Sequence, residues 1–76
     1  MITLKTKNEN EMTKKEAIIL MQQGVKITHI YFSKEEWVTM EDGMILLEDG
    51  VRCEQVEFWK WRTSDFWNEG YSEWEN

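Results

Sequence analysis

The sequence predicts a small α+β domain: an N-terminal helix, an antiparallel sheet of three to four strands, a second, aromatic-rich helix and a short closing strand. Three observations carry that expectation. Thr13-Lys14-Lys15-Glu16 has the capping-box pattern and opens an apolar stripe of helical period. Asp42-Gly43 separates two apolar segments, the strongest short-range hairpin signal. Glu54 to Arg62 is helical in pattern and dense in aromatics, and a turn at Asn68-Glu69-Gly70 then leads into Tyr71 to Glu75.

Taken in order, residues 1–11 read as an N-terminal strand, Met1 to Thr6, or a tail, followed by the polar Lys7-Asn8-Glu9-Asn10-Glu11. Residues 12–76 read as the single α+β domain. Its first helix runs from Lys14 to Gln23 and stops at Gly24, which suits a left-handed cap. Ala17, Leu20, Met21 and Gly24 share one stripe of this helix, with Ile18 at its edge, while Ile19 faces the opposite way and is expected to be exposed.

Val25 to Phe32 is β-branched and aromatic and reads as a strand. Its alternation changes phase at His29, which predicts a bulge there. Ser33-Lys34-Glu35-Glu36 repeats the capping-box pattern for one helical turn. Trp37 to Glu41 and Met44 to Glu48 are the arms of the hairpin, and Asp49-Gly50 is a second turn. On the second helix Phe58, Trp61 and Arg62 cover one side, Val56 and Trp59 the adjoining side, and only Glu57 and Lys60 form a polar strip. That apolar arc is too wide for one layer of packing, so at least one aromatic should face a partner, a second subunit or a ligand.

The chain has 76 residues, which suits one domain; a domain of this size buries only about 60% of the surface its unfolded chain exposes. The longest apolar run is Ala17 to Met21, far short of a membrane span. The first residues lack the apolar core and cleavage site of a signal peptide, and Cys53 is the only cysteine, so a reducing cytoplasm is the expected setting. His29 is the only histidine, so a Cys/His zinc site would lack ligands, and no metal or other cofactor is expected.

Charge is uneven. Residues 1–30 carry a net charge of +2 and residues 31–76 a net charge of −8. Such a field repels nucleic acid, whose binding needs Lys and Arg at the phosphates, and favours a basic protein surface. His29 with Cys53 is the one conceivable nucleophile–base pair, and nothing in the spacing unites them. There is no phosphate-binding glycine loop and no nucleophile elbow, so no catalytic residues are expected and the chain reads as a non-enzyme. Seven of the ten aromatics lie in the last nineteen residues, where they serve a core, a protein contact or base stacking.

From Met12 onward the chain resembles a known family. Met12-Thr13-Lys14-Lys15-Glu16-Ala17 with Gly24-Val25-Lys26-Ile27, and Asn68-Glu69-Gly70-Tyr71-Ser72-Glu73-Trp74-Glu75, are similar to the opening and closing segments of small phage proteins of the second Thoeris anti-defence family. The resemblance implies a related fold, oligomer formation and sequestration of a cyclic nucleotide signal of bacterial immunity. His29, Phe32 and Ser33 stand where the family pattern has arginine, tryptophan and asparagine, and the segment before the closing strand is shorter.

Two functions follow as expectations. The leading one is a non-catalytic phage or mobile-element inhibitor that binds a host defence protein of the CRISPR type, with Trp59 and Trp61 as anchors and Glu35, Glu36, Glu41, Asp42, Glu48 and Asp49 facing a basic groove. The alternative is a nucleotide sponge in which His29, Phe32, Arg52 and Arg62 line a pocket, between subunits of a homo-oligomer. A structural or assembly module without ligand is the third reading.

Overall fold

The computed structural model describes residues 11–75. It is α+β, as expected, with the elements α1 (Lys14–Gln22), β1 (Ile27–His29), β2 (Val38–Glu41), β3 (Met44–Leu47), β4 (Arg52–Cys53), α2 (Gln55–Lys60), a 3₁₀ helix (Asp65–Asn68) and β5 (Tyr71–Glu73). The five strands form one antiparallel sheet in the order β4-β3-β2-β1-β5. The expected strand from Met1 to Thr6 lies outside the described residues. Next to β5, Met12 and Tyr71 exchange backbone hydrogen bonds of 2.6 and 3.2 Å.

Both ends of α1 follow the sequence. The Thr13 N–H donates to Glu16 Oε1 at 3.0 Å and the Glu16 N–H donates to Thr13 Oγ1 at 3.2 Å, which completes the capping box. At the other end the Val25 N–H reaches back to the Leu20 carbonyl and the Gly24 N–H to that of Met21, with Gly24 at a φ of +87°. This double bond satisfies carbonyls that the helix leaves free and reverses the chain into β1.

The fold departs from expectation in three places. First, the strand from Val25 to Phe32 is only Ile27–His29, and the change of phase is a turn, not a bulge. The Phe32 N–H donates to the His29 carbonyl at 2.9 Å, and the His29 ring takes the Tyr31 N–H at 3.1 Å, so the backbone leaves the ladder at His29. Second, Arg52–Cys53 adds a fifth strand, which brings the sheet beyond the three to four strands expected; it pairs with Ile45 and Leu46 after the turn at Asp49-Gly50. Third, the second helix is Gln55–Lys60, shorter than Glu54 to Arg62, and Asp65–Asn68 forms an unexpected 3₁₀ turn before β5.

The box at Ser33 forms by halves. Glu36 Oε1 accepts the Ser33 N–H at 2.6 Å, while the Glu36 N–H goes to the Ser33 carbonyl at 3.1 Å, giving one turn and no helix. The β2–β3 hairpin matches its signal: Asp42 and Gly43 have φ values of +55° and +81°, the pair of positive angles that a two-residue turn of this kind needs.

Cross-strand register sets the faces. Ile27, His29, Val38, Met40, Ile45 and Tyr71 point to one side, where they pack with Ala17 and Met21 of α1 and Phe58 of α2. Met21, Ile27 and Ile45 are wholly enclosed, each contributing about 1.5–3 kcal/mol relative to exposure. Thr28, Thr39, Leu46 and Ser72 lie on the other side. There Lys26 sits between two indoles, its Nζ 4.5 Å from the Trp37 ring and 5.7 Å from that of Trp74.

Candidate functional site

His29 is the hub of the aromatic end of the molecule. Only 2% of it is exposed. Its Nδ1 accepts the Tyr31 N–H, which places the proton on Nε2, and Nε2–H donates to the carbonyls of Glu69 at 2.7 Å and Phe66 at 3.1 Å. Trp67 and Tyr71 pack on the ring with centroids 4.4 and 4.6 Å away. Both ring nitrogens are thus committed to backbone groups, and the histidine pins the 3₁₀ turn to β1. Tyr71 completes the cluster: its hydroxyl donates to the Trp67 carbonyl, and burial pushes the phenol up to about 12, partly offset by the charge of Arg62.

The four residues assigned to a nucleotide pocket do not converge. Arg52 lies on β4, at the far edge of the sheet, and forms an ion pair with Glu41 whose hydrogen bond and charge raise its pKa above the ordinary arginine value. His29 lies three strands away, about 14 Å at the usual strand spacing, and is enclosed. Cys53, also on β4, is equally remote from His29, so these two cannot act together.

His29 does lie beside Phe32, their ring centroids 5.9 Å apart, and the fold brings Phe32 and Arg62 to one site. They line a hollow of about 210 Å³ together with Val38, Leu47, Phe58, Glu36, Glu48 and Asp49. The guanidinium of Arg62 lies 4.1 Å from the Phe58 ring and 5.5 Å from that of Trp67, and its Nη1 donates to the Phe58 carbonyl at 2.8 Å. Its Nε is enclosed without a hydrogen-bond partner.

The residues assigned to a protein contact are sorted by the fold. Trp61, at the end of α2, is 77% exposed. Trp59 is half-buried, edge-on to Phe58 at 4.8 Å and covered by the Lys14 ammonium 4.3 Å from its ring, so it belongs to the rim of the core. Glu36, Glu48 and Asp49 come together at the hollow, with Glu35 adjacent to Glu36 in the chain. Glu41 and Asp42 sit at the β2–β3 turn, at the opposite end of β3 from Glu48. The six carboxylates therefore form two groups instead of one surface.

A second aromatic surface escaped the sequence reading. Ile30, Tyr31 and Phe66 are all about half exposed or more, and the Tyr31 and Phe66 rings meet edge to face at 4.9 Å. The turn after His29 turns Ile30 and Tyr31 outward; read as a strand, one of them would have been buried. Among the described residues no helix is long and apolar enough to cross a membrane.

Comparison with protein-family models, with curated proteins and with solved structures finds no match.

Proposed function

We propose that this protein acts by stoichiometric binding, as a phage or mobile-element inhibitor that occupies a basic surface of a host defence protein of the CRISPR type in the bacterial cytoplasm. The observation that carries the reading is the exposed indole of Trp61 next in the chain to Arg62, whose hollow is rimmed by Glu36, Glu48 and Asp49. A large exposed aromatic on the same small domain as a group of carboxylates that form no ion pair among the described residues is the composition of an interface anchor with a charged rim. Among the described residues the Arg52–Glu41 pair is the ion pair formed, which leaves the carboxylates of the hollow free for an external cation.

The test is co-purification of candidate defence complexes with the wild-type chain, with Trp61→Ala and with the double variant Glu35→Lys/Glu48→Lys. Loss of a stoichiometric complex in both variants supports the reading. Complexes that survive both substitutions unchanged would refute it.

A second reading, a sponge for a cyclic nucleotide, has one observation in its favour: Phe32 and Arg62 share a hollow, so an aromatic face and a cation stand side by side. At about 210 Å³ that hollow is below the usual range of about 300–1,000 Å³ for ligand sites, so a second subunit would have to supply further walls. Thermal shift against a panel of cyclic nucleotides separates the two readings, since a ligand at about 100 times its Kd adds roughly 2.7 kcal/mol of stability.

A further inference from the structure

The hollow between the turn after β1, the β3–β4 turn and the end of α2 has a definite chemistry. Its floor is apolar: Phe32, Val38, Leu47 and Phe58. Its rim carries three carboxylates, Glu36, Glu48 and Asp49, against the single guanidinium of Arg62. Arg62 is already occupied, stacked on Phe58 and bonded to the Phe58 carbonyl. Its charge offsets only one of the three carboxylates, so the hollow keeps a net negative charge, and among the described residues none of the three forms an ion pair.

The carboxylates are also held in place. Glu36 spends one oxygen on the Ser33 N–H and Asp49 one on the Val51 N–H, so each is fixed in direction with its second oxygen left over. The Glu48 carboxylate makes no hydrogen bond among the described residues. The hollow's volume of about 210 Å³ suits one long side chain and not a cofactor-sized ligand.

We infer that this hollow is a socket for a lysine or arginine side chain of a basic protein segment, with its aliphatic stem on Phe32, Leu47 and Phe58 and its charged end among Glu36, Glu48 and Asp49. A long cationic side chain matches both halves of the site, because its stem buries well against apolar surface while its head makes charge-assisted hydrogen bonds. The inference rests on the proposed binding of a basic partner and locates the point of entry.

The probe is an acetylated, amidated hexalysine peptide, with hexaglutamine as the uncharged control, titrated into ¹⁵N-labelled protein at low salt. Shifts concentrated at the amides of Leu47 to Val51 and at the Arg62 Nε–H, which hexaglutamine does not produce, are expected. Glu48→Gln should weaken hexalysine binding at least threefold more than Glu57→Gln, which removes the same charge from α2. Equal weakening by both, or shifts scattered over the acidic surface, would overturn the socket while leaving a basic partner in place. No hexalysine binding at all would overturn the socket and the basic-partner reading together. Concentration-dependent shifts at the same amides without peptide would put a second copy of the chain in the hollow and overturn the socket as a site for a basic partner.

Discussion

The Nε2–H of His29 donates to the Glu69 carbonyl at 2.7 Å, and Gly70, the next residue, lies close against the same nitrogen. A Cβ built on Gly70 would stand 3.2 Å from His29 Nε2 and 3.2 Å from the Ile30 side chain. Gly70 also has a φ of +91°, which side-chain-bearing residues avoid. A methyl group at position 70 would thus push the His29 and Ile30 side chains aside by a few tenths of an ångström where β5 approaches β1.

Gly70→Ala should accordingly cost about 2 kcal/mol, from the left-handed backbone and the displaced imidazole together. In a domain of this size that lowers Tm by roughly 10 °C. Urea or thermal unfolding of the variant checks it; an unchanged midpoint would mean that β5 does not pack on His29 as described.

Tyr71 gives a pH signature. Its phenol ionises near 12 in the folded chain, above the ordinary value of about 10, because burial disfavours the phenolate. The folded state therefore holds the proton more tightly than the unfolded state. The stability this contributes is complete below about pH 10 and is lost as pH rises towards 12. Absorbance at 295 nm should show a tyrosine titrating near 12, and Tyr71→Phe should remove that step.

The Lys26 ammonium between Trp37 and Trp74 should be worth about 1 kcal/mol, within the usual span for partly exposed cation–aromatic contacts. Lys26→Met keeps the aliphatic stem and loses the charge, so it should destabilise by that amount, whereas Lys26→Arg should be nearly neutral. Denaturant midpoints of the two variants decide between a cation-dependent clamp and simple packing.

Trp59 and Trp61, two residues apart, should behave in opposite ways. Trp61→Ala should leave stability within about 0.5 kcal/mol, since the ring is 77% exposed, but should abolish partner capture. Trp59→Ala should cost roughly 2 kcal/mol, because its ring packs on Phe58 at the rim of the core. Unfolding curves run alongside the co-purification assay separate the two effects.

What the sequence revealed was local. Thr13 and Glu16 state their geometry through side chains that bond neighbouring backbone, Gly24 and Asp42-Gly43 through the positive φ angles they tolerate, and each is found as read. The outward aromatic expected on the second helix is Trp61. What stayed hidden depends on contacts distant in the chain. A ladder of two residues, Arg52–Cys53, is too short to show an alternating pattern and exists because β3 offers it an edge. β1 ends early because the His29 side chain competes for the Tyr31 N–H, a bond that hydrophobic alternation cannot encode. The convergence of Glu36 with Glu48 and Asp49 arises only once β2 pairs with β3 and the turn after β1 folds over their ends.

The sheet ends on two short margins. β4 has two residues, one of them the charged Arg52, and β5 has three, with Met12 already bonded to Tyr71. Among the described residues little free backbone remains on either flank to template another strand, which guards this part of the molecule against stacking into filaments. Recognition by strand addition is disfavoured for the same reason, and any guest must be engaged through side chains.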